Sequence, residues 1–218
     1  MRRIIRIGFS KLGDIKYVPH LSLASAFERA LRRAGAPLWY SEGFNPHPKL
    51  NFALPLSVGC ESVCEMCDVS VEEDSPPDCL DGLAAQMPRG LEIYRIKADP
   101  ERKFSEIGFC RYRVIFDVFS DAGKLEKILS GPLVVMKRSK KGDAETDVSP
   151  MIEESRVSEE NGRALMDLTL CAGGERGYLN PELILRAAES EIGSPDCRII
   201  RTEVLDLEKK PFWEEVSK

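Results

Sequence analysis

Apolar and polar residues alternate along some short segments of this chain and recur at helical spacing along others. Arg3–Phe9 has the two-residue period of a strand with one buried face. Along Leu21–Ala34 apolar residues recur every three or four positions, and Gly35 follows where such a helix would end. The opening third of the chain therefore predicts strands and a helix that share one core, which is typical of an α+β unit.

The predicted elements of the first half follow the order strand, helix, two strands, helix, strand. They are a strand at Arg3–Phe9, a helix at Leu21–Ala34, strands at Pro37–Glu42 and Leu50–Leu56, a strand at Cys64–Val71 that continues the preceding one around a bulge near Gly59, a helix from Pro76 or Pro77 to Met87, and a strand at Leu91–Ala98. This order is that of a ferredoxin-like βαββαβ domain.

The same order returns after a polar linker at residues 99–103. It comprises strands at Tyr112–Phe119, Leu133–Arg138, Ala144–Glu153, Arg163–Leu170 and Arg198–Leu205, with helices at Ala122–Leu129 and from Pro181 to about Glu191. The sequence therefore predicts an α+β protein of two tandem ferredoxin-like (βαββαβ) domains with antiparallel sheets. The domains are predicted at residues 1–99 and 104–218, the second with one extra strand.

A binding site is predicted at one edge of the first domain. In a ferredoxin-like sheet the second strand ends at the edge where the first helix begins, so His20 and the loop Gly43–Lys49 would meet there. Pro46 and Pro48 stiffen that loop. If Ile15–Val18 instead folds back on the first strand, His20 moves to the opposite edge. The substrate-binding candidates are His20, Ser41, Gly43, Phe44, Asn45, His47 and Lys49.

Charge is distributed unevenly around a net value of −5. Residues 1–50 carry nine Lys or Arg against three Asp or Glu, whereas residues 51–88 carry eight acidic residues and no Lys or Arg. Because charges act within a Debye length of roughly 8–10 Å, such local excesses matter more than the mean. The candidates for phosphate contact are Arg29, Arg32, Arg33, Lys137, Arg138, Lys140 and Lys141; the structural alternative is that these are solvated surface charges.

Three of the cysteines are spaced like the ligands of a metal site. Cys60, Cys64 and Cys67 have a spacing that resembles an iron–sulfur motif, but Cys64–Val71 is predicted as a strand, and a strand does not curl three thiolates around one cluster. The sequence therefore predicts no metal and no cofactor, and it contains no recognisable catalytic motif.

Cellular location is inferred from the cysteines and from targeting signals. The number of cysteines is odd, and the N-terminus lacks the apolar core of a signal peptide. No segment has the length of apolar sequence that a membrane span requires. We therefore expect a soluble cytoplasmic protein with free thiols and no membrane contact.

Several segments resemble the radical-SAM-linked family, a bacterial domain of unknown function. The resemblance is carried by Phe9-Ser10-Lys11, His20-Leu21, Glu28–Gly35 and above all Tyr40-Ser41-Glu42-Gly43-Phe44-Asn45-Pro46-His47-Pro48-Lys49, and continues through Leu54-Pro55-Leu56, Gly59, Glu65, Lys137–Lys141, Asp147 and Arg201-Thr202. The family usually has Asp where this chain has Ser22.

That resemblance implies an association with a cobalamin-binding radical SAM protein, encoded beside the chain or fused to it. Our leading hypothesis is a non-catalytic accessory module that binds substrate, such as RNA or a ribosomal component, for that partner; no DNA is expected. An alternative is a ribonuclease-like enzyme in which His20 or His47 is the general acid or base, by fold analogy with CRISPR repeat-cleaving endoribonucleases. A third possibility is a purely structural adaptor.

Overall fold

The computed structural model describes residues 2–119, 121–139 and 142–213, with side chains omitted at 137–139 and 142–143. The chain divides into two compact units, Met1–Phe104 and Ser105–Lys218. Each unit combines antiparallel strands with a small number of helices, which confirms the α+β class and the antiparallel pairing. Among the described residues, no helix is both long and apolar enough to cross a bilayer.

The first unit has a four-stranded sheet and one α-helix. Its elements are strands β1 (Arg2–Lys11), β2 (Leu50–Phe52), β3 (Glu61–Glu72) and β4 (Leu91–Ala98), helix α1 (His20–Arg33), and short 3-10 helices at Gly13–Tyr17 and Asp81–Gln86. The strand order is β4-β1-β3-β2, and every neighbouring pair is antiparallel.

Helix α1 forms because one of its faces is apolar and buried. Leu23, Phe27 and Leu31 project from it onto Ile5, Ile7 and Phe9 of β1, and Cys67, Val69 and Val71 of β3 complete this core. The rings of Phe9 and Phe27 lie 4.7 Å apart, centroid to centroid. Gly35, with φ of +72°, follows the last turn in the left-handed conformation that glycine adopts without strain.

The prediction of a helix between Pro76 and Met87 is wrong in one respect, because the segment does not form an α-helix. Asp81–Gln86 forms a 3-10 helix, and the preceding residues form turns. Asp81 donates its N–H to the carbonyl of Asp78 and Leu83 donates to Leu80, so the hydrogen bonds span three residues and not four. Gly82, in the middle of the predicted helix, lowers the stability of a regular α-helix here.

The second unit has a four-stranded sheet, two α-helices and a separate hairpin. Its elements are β5 (Ile107–Phe116), α2 (Ala122–Leu129), β6 (Val134–Ser139), β7 (Gly142–Asp147), β8 (Ile152–Glu160), β9 (Arg163–Cys171), α3 (Pro181–Ile192) and β10 (Cys197–Asp206), with 3-10 helices at Phe104–Glu106, which crosses the boundary, and Ser149–Met151. The strand order is β10-β5-β9-β8, again antiparallel, and β6 pairs with β7.

The strand predicted at Ala144–Glu153 is in fact two strands. Pro150 lies in the 3-10 helix Ser149–Met151 that separates β7 from β8, because proline has no N–H to give to a strand ladder. Asp147 fixes this break by accepting the N–H groups of Leu133 and Ser149 at 3.0 and 2.9 Å, and the hydrogen bonds lower the pKa of its carboxyl group. Within residues 2–119, 121–139 and 142–213, the second unit therefore has six strands and the first has four.

Lys11, at the end of β1, is buried, with only 2% of its surface area exposed to solvent. Its ammonium group donates to the carbonyls of Lys16 and Val18 at 3.1 and 3.0 Å, so it holds the turn that leads into α1. Burial lowers the pKa of Lys11, and the nearby carboxylate of Glu65 opposes this effect. Glu61, also buried, accepts the N–H of Gly13 at 2.7 Å in the same turn.

Replacing this ammonium group tests its structural role. We expect Lys11→Met to lower the free energy of unfolding by on the order of 1–3 kcal/mol, because two carbonyls of a packed turn lose their donor. Urea denaturation measures the change, with the exposed Lys127→Met as the matched control. Equal stability of both variants would contradict the role assigned to Lys11.

Candidate functional site

The segment that carries the Gly43–Lys49 loop leaves the sheet and returns to it at a single residue of β3. Trp39 donates its N–H to the carbonyl of Ser70 at 2.9 Å, Ser70 donates to Lys49 at 3.0 Å, and Lys49 donates to Trp39 at 3.1 Å. These three backbone hydrogen bonds form a closed ring. Residues 40–48 are therefore extruded sideways from the edge of the sheet, and we call them the edge hairpin.

The base of the edge hairpin is closed by paired backbone groups. Tyr40 and Pro48 form an antiparallel bridge. Ser41 donates its N–H to the carbonyl of His47 at 2.8 Å and accepts the N–H of His47 on its own Oγ at 3.1 Å. Gly43 has φ of +124°, where a side chain would be strained. Two prolines and these cross-links restrict the hairpin to few conformations before any ligand binds.

The tip of the edge hairpin presents an aromatic ring to solvent. Phe44 is fully exposed, at 111% of its reference area, and nothing in the described chain covers it. Asn45 beside it is also exposed, as are His47 and Lys49. An exposed aromatic ring on a constrained hairpin is typical of a residue that inserts into or stacks on a partner.

The three arginines predicted on α1 have different environments. Arg32 lies over the ring of Tyr40, with its guanidinium carbon 5.4 Å from the ring centroid, so it reaches the base of the edge hairpin. Arg29 is exposed one helical turn earlier and has no ion-pair partner among the described residues. Arg33 donates to the carbonyl of Gln86 at 2.7 Å and to its side chain at 3.2 Å. Arg29 and Arg32 are therefore available to an anion, whereas Arg33 fastens α1 to the Asp81–Gln86 segment.

The other predicted phosphate contacts lie on the β6–β7 hairpin. Lys137 and Arg138 belong to β6 and pair in register with Ala144 and Asp143, but their side chains are not described. Lys140 and Lys141 lie outside the described residues. These four residues remain predictions.

The predicted meeting of His20 and the Gly43–Lys49 loop is wrong. His20 begins α1 and packs its ring against Phe52, with centroids 5.1 Å apart, at the far end of β2. The edge hairpin precedes β2 and lies beside Arg32, about 18 Å farther along the helix axis at 1.5 Å per residue. No described hydrogen bond, ion pair or ring contact joins His20 to the loop.

The two flanks of the loop are paired differently from the predicted strands. Pro37–Glu42 and Leu50–Leu56 were predicted as two successive strands joined by the loop, which would place the loop where the second strand ends. In the structure both flanks pair with β3, through Leu38 with Val71 and Leu50 with Val69. They are halves of one interrupted edge strand, so the loop lies near the start of that strand and not at its end.

The cysteines do not form a common site. Cys67 is buried in the core beneath α1, and burial raises the pKa of its thiol. Cys64 is half-buried, with its Sγ 3.7 Å from Ser62 Oγ, and Cys60 is buried before β3 begins. Within the described residues, no three His, Cys, Asp or Glu side chains are grouped as metal ligands.

A buried network in the second unit was not predicted. Arg201, at 1% exposure, donates to Tyr112 Oη at 3.0 Å and to Tyr178 Oη at 3.1 Å, and the two hydroxyls lie 3.0 Å apart. Burial raises the pKa of both tyrosines, so they stay neutral and serve as hydrogen-bonding groups. The Arg201-Thr202 motif therefore has a structural explanation at Arg201, and no pattern in the neighbouring sequence signalled that this arginine is buried.

Comparison with known proteins gives a family and weak structural likenesses. A family model described as an uncharacterized protein conserved in bacteria (DUF2344) matches residues 4–181. A search of curated proteins found no match. An unknown protein from Galdieria sulphuraria is similar over 92% of this chain and 99% of its own, with 13% identity and a TM-score of 0.26. A putative glycine cleavage system transcriptional repressor is similar over 94% and 99%, with 9% identity and a TM-score of 0.29. TM-scores this low indicate neither a shared fold nor a shared function.

The exposure of Phe44 predicts that it contributes nothing to folding. We expect Phe44→Ala to change the free energy of unfolding by less than about 0.5 kcal/mol. Phe27→Ala, the matched aromatic substitution in the core, should lower the free energy of unfolding by about 3–5 kcal/mol. Thermal or urea denaturation measures both, and a loss of stability at Phe44 comparable with that at Phe27 would show that the ring is packed.

Proposed function

Since this chain belongs to the DUF2344 family of uncharacterized proteins conserved in bacteria, we propose that it is a non-catalytic accessory module that binds substrate for a partner enzyme. Its recognition element is the edge hairpin together with Arg29, Arg32 and Lys49. The observation that carries this proposal is the fully exposed ring of Phe44 on a hairpin already closed by backbone hydrogen bonds. A ligand that covers the Phe44 ring removes its apolar surface from water, which favours binding. The hydrogen-bonded base of the hairpin reduces the conformational entropy that is lost on binding.

RNA with unpaired bases is the substrate class that this surface supports best. An exposed aromatic ring stacks on a base without requiring a particular sequence, at about 1–3 kcal/mol per base. Arg29, Arg32 and Lys49 are exposed cations around the hairpin and suit the phosphates on either side of that base. Bases that are stacked in double-helical DNA do not expose the flat face on which the ring of Phe44 would stack.

We further propose that both units are ferredoxin-like, in tandem. The shared strand order supports this: the fourth, first, third and second strands of each βαββαβ series lie side by side in both units, once β6 and β7 are set aside as an inserted hairpin. In the first unit the 3-10 helix Asp81–Gln86 takes the position of the second helix.

The partner that we propose is a cobalamin-binding radical SAM protein of the cytoplasm. The support is the resemblance carried by the Tyr40–Lys49 run, which coincides with the edge hairpin and its flanks. In this scheme the partner supplies the chemistry and this chain holds the substrate. The separation of His20 from His47 favours binding over a mechanism in which the two imidazoles act together as acid and base.

Binding of a labelled single-stranded RNA tests the proposal. We expect Phe44→Ala to weaken binding by about tenfold, since one stacked base is lost. Arg29→Ala and Arg32→Ala should weaken it too, and each should reduce the salt dependence by about 0.7 in the slope of log K against log salt concentration. Arg163→Ala, which removes an exposed arginine of the second unit, is the matched control.

Other outcomes of this experiment identify the alternatives. Cleavage of the RNA by the chain alone, abolished by His47→Ala or His20→Ala, would contradict a binding module and support a ribonuclease. An absence of RNA binding at low salt would contradict the proposed substrate and leave a structural adaptor as the better account.

A further inference from the structure

A cleft of about 330 Å³ lies on the exposed face of the sheet in the second unit, lined by residues of β5, β8, β9 and β10. Arg111 and Arg113 project onto this face from β5, whereas Tyr112 and Val114 are buried on the other face. A volume of this size is typical of a small-molecule site and exceeds what a single ion fills. We call this cavity the sheet cleft.

Strand pairing arranges the side chains of the sheet cleft in two rows. In the first row, Asp167 of β9 lies between Arg113 of β5 and Arg156 of β8. In the second row, Thr169 of β9 lies beside Arg111. Neighbouring strands are about 4.8 Å apart and alternate residues of one strand about 7 Å apart, so three arginines line one opening.

A β-bulge in β10 adds a hydroxyl group to the same lining. Arg201 pairs with Tyr112 and Glu203 pairs with Arg111, so Thr202 is the extra residue of the bulge. Arg201 is buried, whereas Thr202 is exposed and lines the sheet cleft. Burial explains the first residue of the Arg201-Thr202 motif, and the cleft gives the second a position where its hydroxyl can meet a ligand.

The three arginines keep hydrogen-bond donors that their ion pairs do not use. Arg113 donates from Nε and Nη2 to the two carboxylate oxygens of Asp167, at 2.7 and 3.1 Å. Arg111 donates from Nη1 to Glu203. Since a guanidinium group has five N–H donors, both arginines retain more than half of theirs. Arg156 is exposed and, within residues 2–119, 121–139 and 142–213, has no ion-pair or hydrogen-bond partner.

The carboxylates around the sheet cleft limit the charge of its ligand. Three arginines and two carboxylates line the cleft, and Glu203 adds a third carboxylate beside Arg111. Both oxygens of Asp167 are occupied by an arginine, and Glu154 accepts the hydroxyl of Thr169 at 3.0 Å. A site with nearly balanced charge favours a singly charged phosphodiester over a doubly charged phosphate monoester, which the carboxylates would repel more strongly.

We infer that the sheet cleft is a second binding site for single-stranded RNA and takes one nucleotide through its phosphodiester group. Arg156 and the remaining N–H groups of Arg111 and Arg113 donate to the phosphate oxygens, in the charge-assisted hydrogen bonds for which arginine is suited. Thr202 offers its hydroxyl to the attached sugar. The identity of the strand as RNA rests on the proposed function, whereas the phosphodiester chemistry rests on the cleft alone.

Titration of the full chain with the dinucleotide UpU, which has one phosphodiester and no terminal phosphate, tests the site. We expect the Nε–Hε resonances of Arg111 and Arg156 in the isotope-labelled protein to shift together and to saturate. Arg163, an exposed arginine outside the cleft lining, is the matched control and should not shift. Arg156→Ala should weaken the affinity measured at Arg111 by about tenfold, because charge-assisted hydrogen bonds are lost.

Affinity for a labelled single-stranded RNA is the second measurement on the same variants. Arg156→Ala should weaken it by about threefold to tenfold, and Thr202→Val, which keeps the size of the side chain and removes its hydroxyl, should weaken it less. Phe44→Ala should leave the UpU shifts at Arg156 unchanged, since it alters only the edge hairpin. Melting temperatures verify that each variant folds.

The contrary results separate the sheet cleft from the proposed function. Unshifted resonances of Arg111 and Arg156, with RNA binding still weakened by Phe44→Ala, would overturn the cleft and leave the edge hairpin as the binding surface. Equal shifts with uridine or with inorganic phosphate at the same concentration would overturn the assignment to a phosphodiester. Saturable UpU shifts at Arg156, with RNA affinity unchanged by Phe44→Ala, would support the cleft and contradict the edge hairpin.

Discussion

The ring of backbone hydrogen bonds among Trp39, Ser70 and Lys49 is the constraint on which the candidate site depends. One residue of β3 satisfies both flanks of the loop, so the intervening residues have no place in the sheet and must project from its edge. Buried backbone groups are rarely left unpaired, and the ring accounts for one N–H and one carbonyl of each participating residue. The side chains of the hairpin can therefore be polar and exposed, while the backbone at its base is held as firmly as the strands of the sheet.

Helix α1 fixes the position of this hairpin relative to the core of the first unit. Its apolar face binds it to β1 and β3, its first turn carries His20 and Leu21, and its last turn places Arg32 over Tyr40. The separation of His20 from the hairpin is therefore set by the helix, at about 1.5 Å per residue. A single packed element therefore keeps the first turn of α1 apart from the hairpin.

The sequence predicted regular elements well where the pattern is local. Leu91–Ala98 and Ala122–Leu129 have the predicted bounds, since each has a clear period between well-marked turns. The location of His47 was not predictable in this way, because it depends on both flanks of the loop pairing with Ser70, about twenty to thirty residues away along the chain. Lys11 was missed for a similar reason: its burial depends on carbonyls of a turn whose shape the sequence does not reveal. Phe44 was identified because prolines and glycine mark a loop locally.

Nuclear Overhauser effects measure directly whether the edge hairpin lies beside the last turn of α1. We expect cross-peaks between the ring protons of Tyr40 and the side chain of Arg32, and between the rings of His20 and Phe52. Cross-peaks from His20 to Tyr40 or His47, with none from Tyr40 to Arg32, would place the hairpin at the other end of the helix and contradict the site described above.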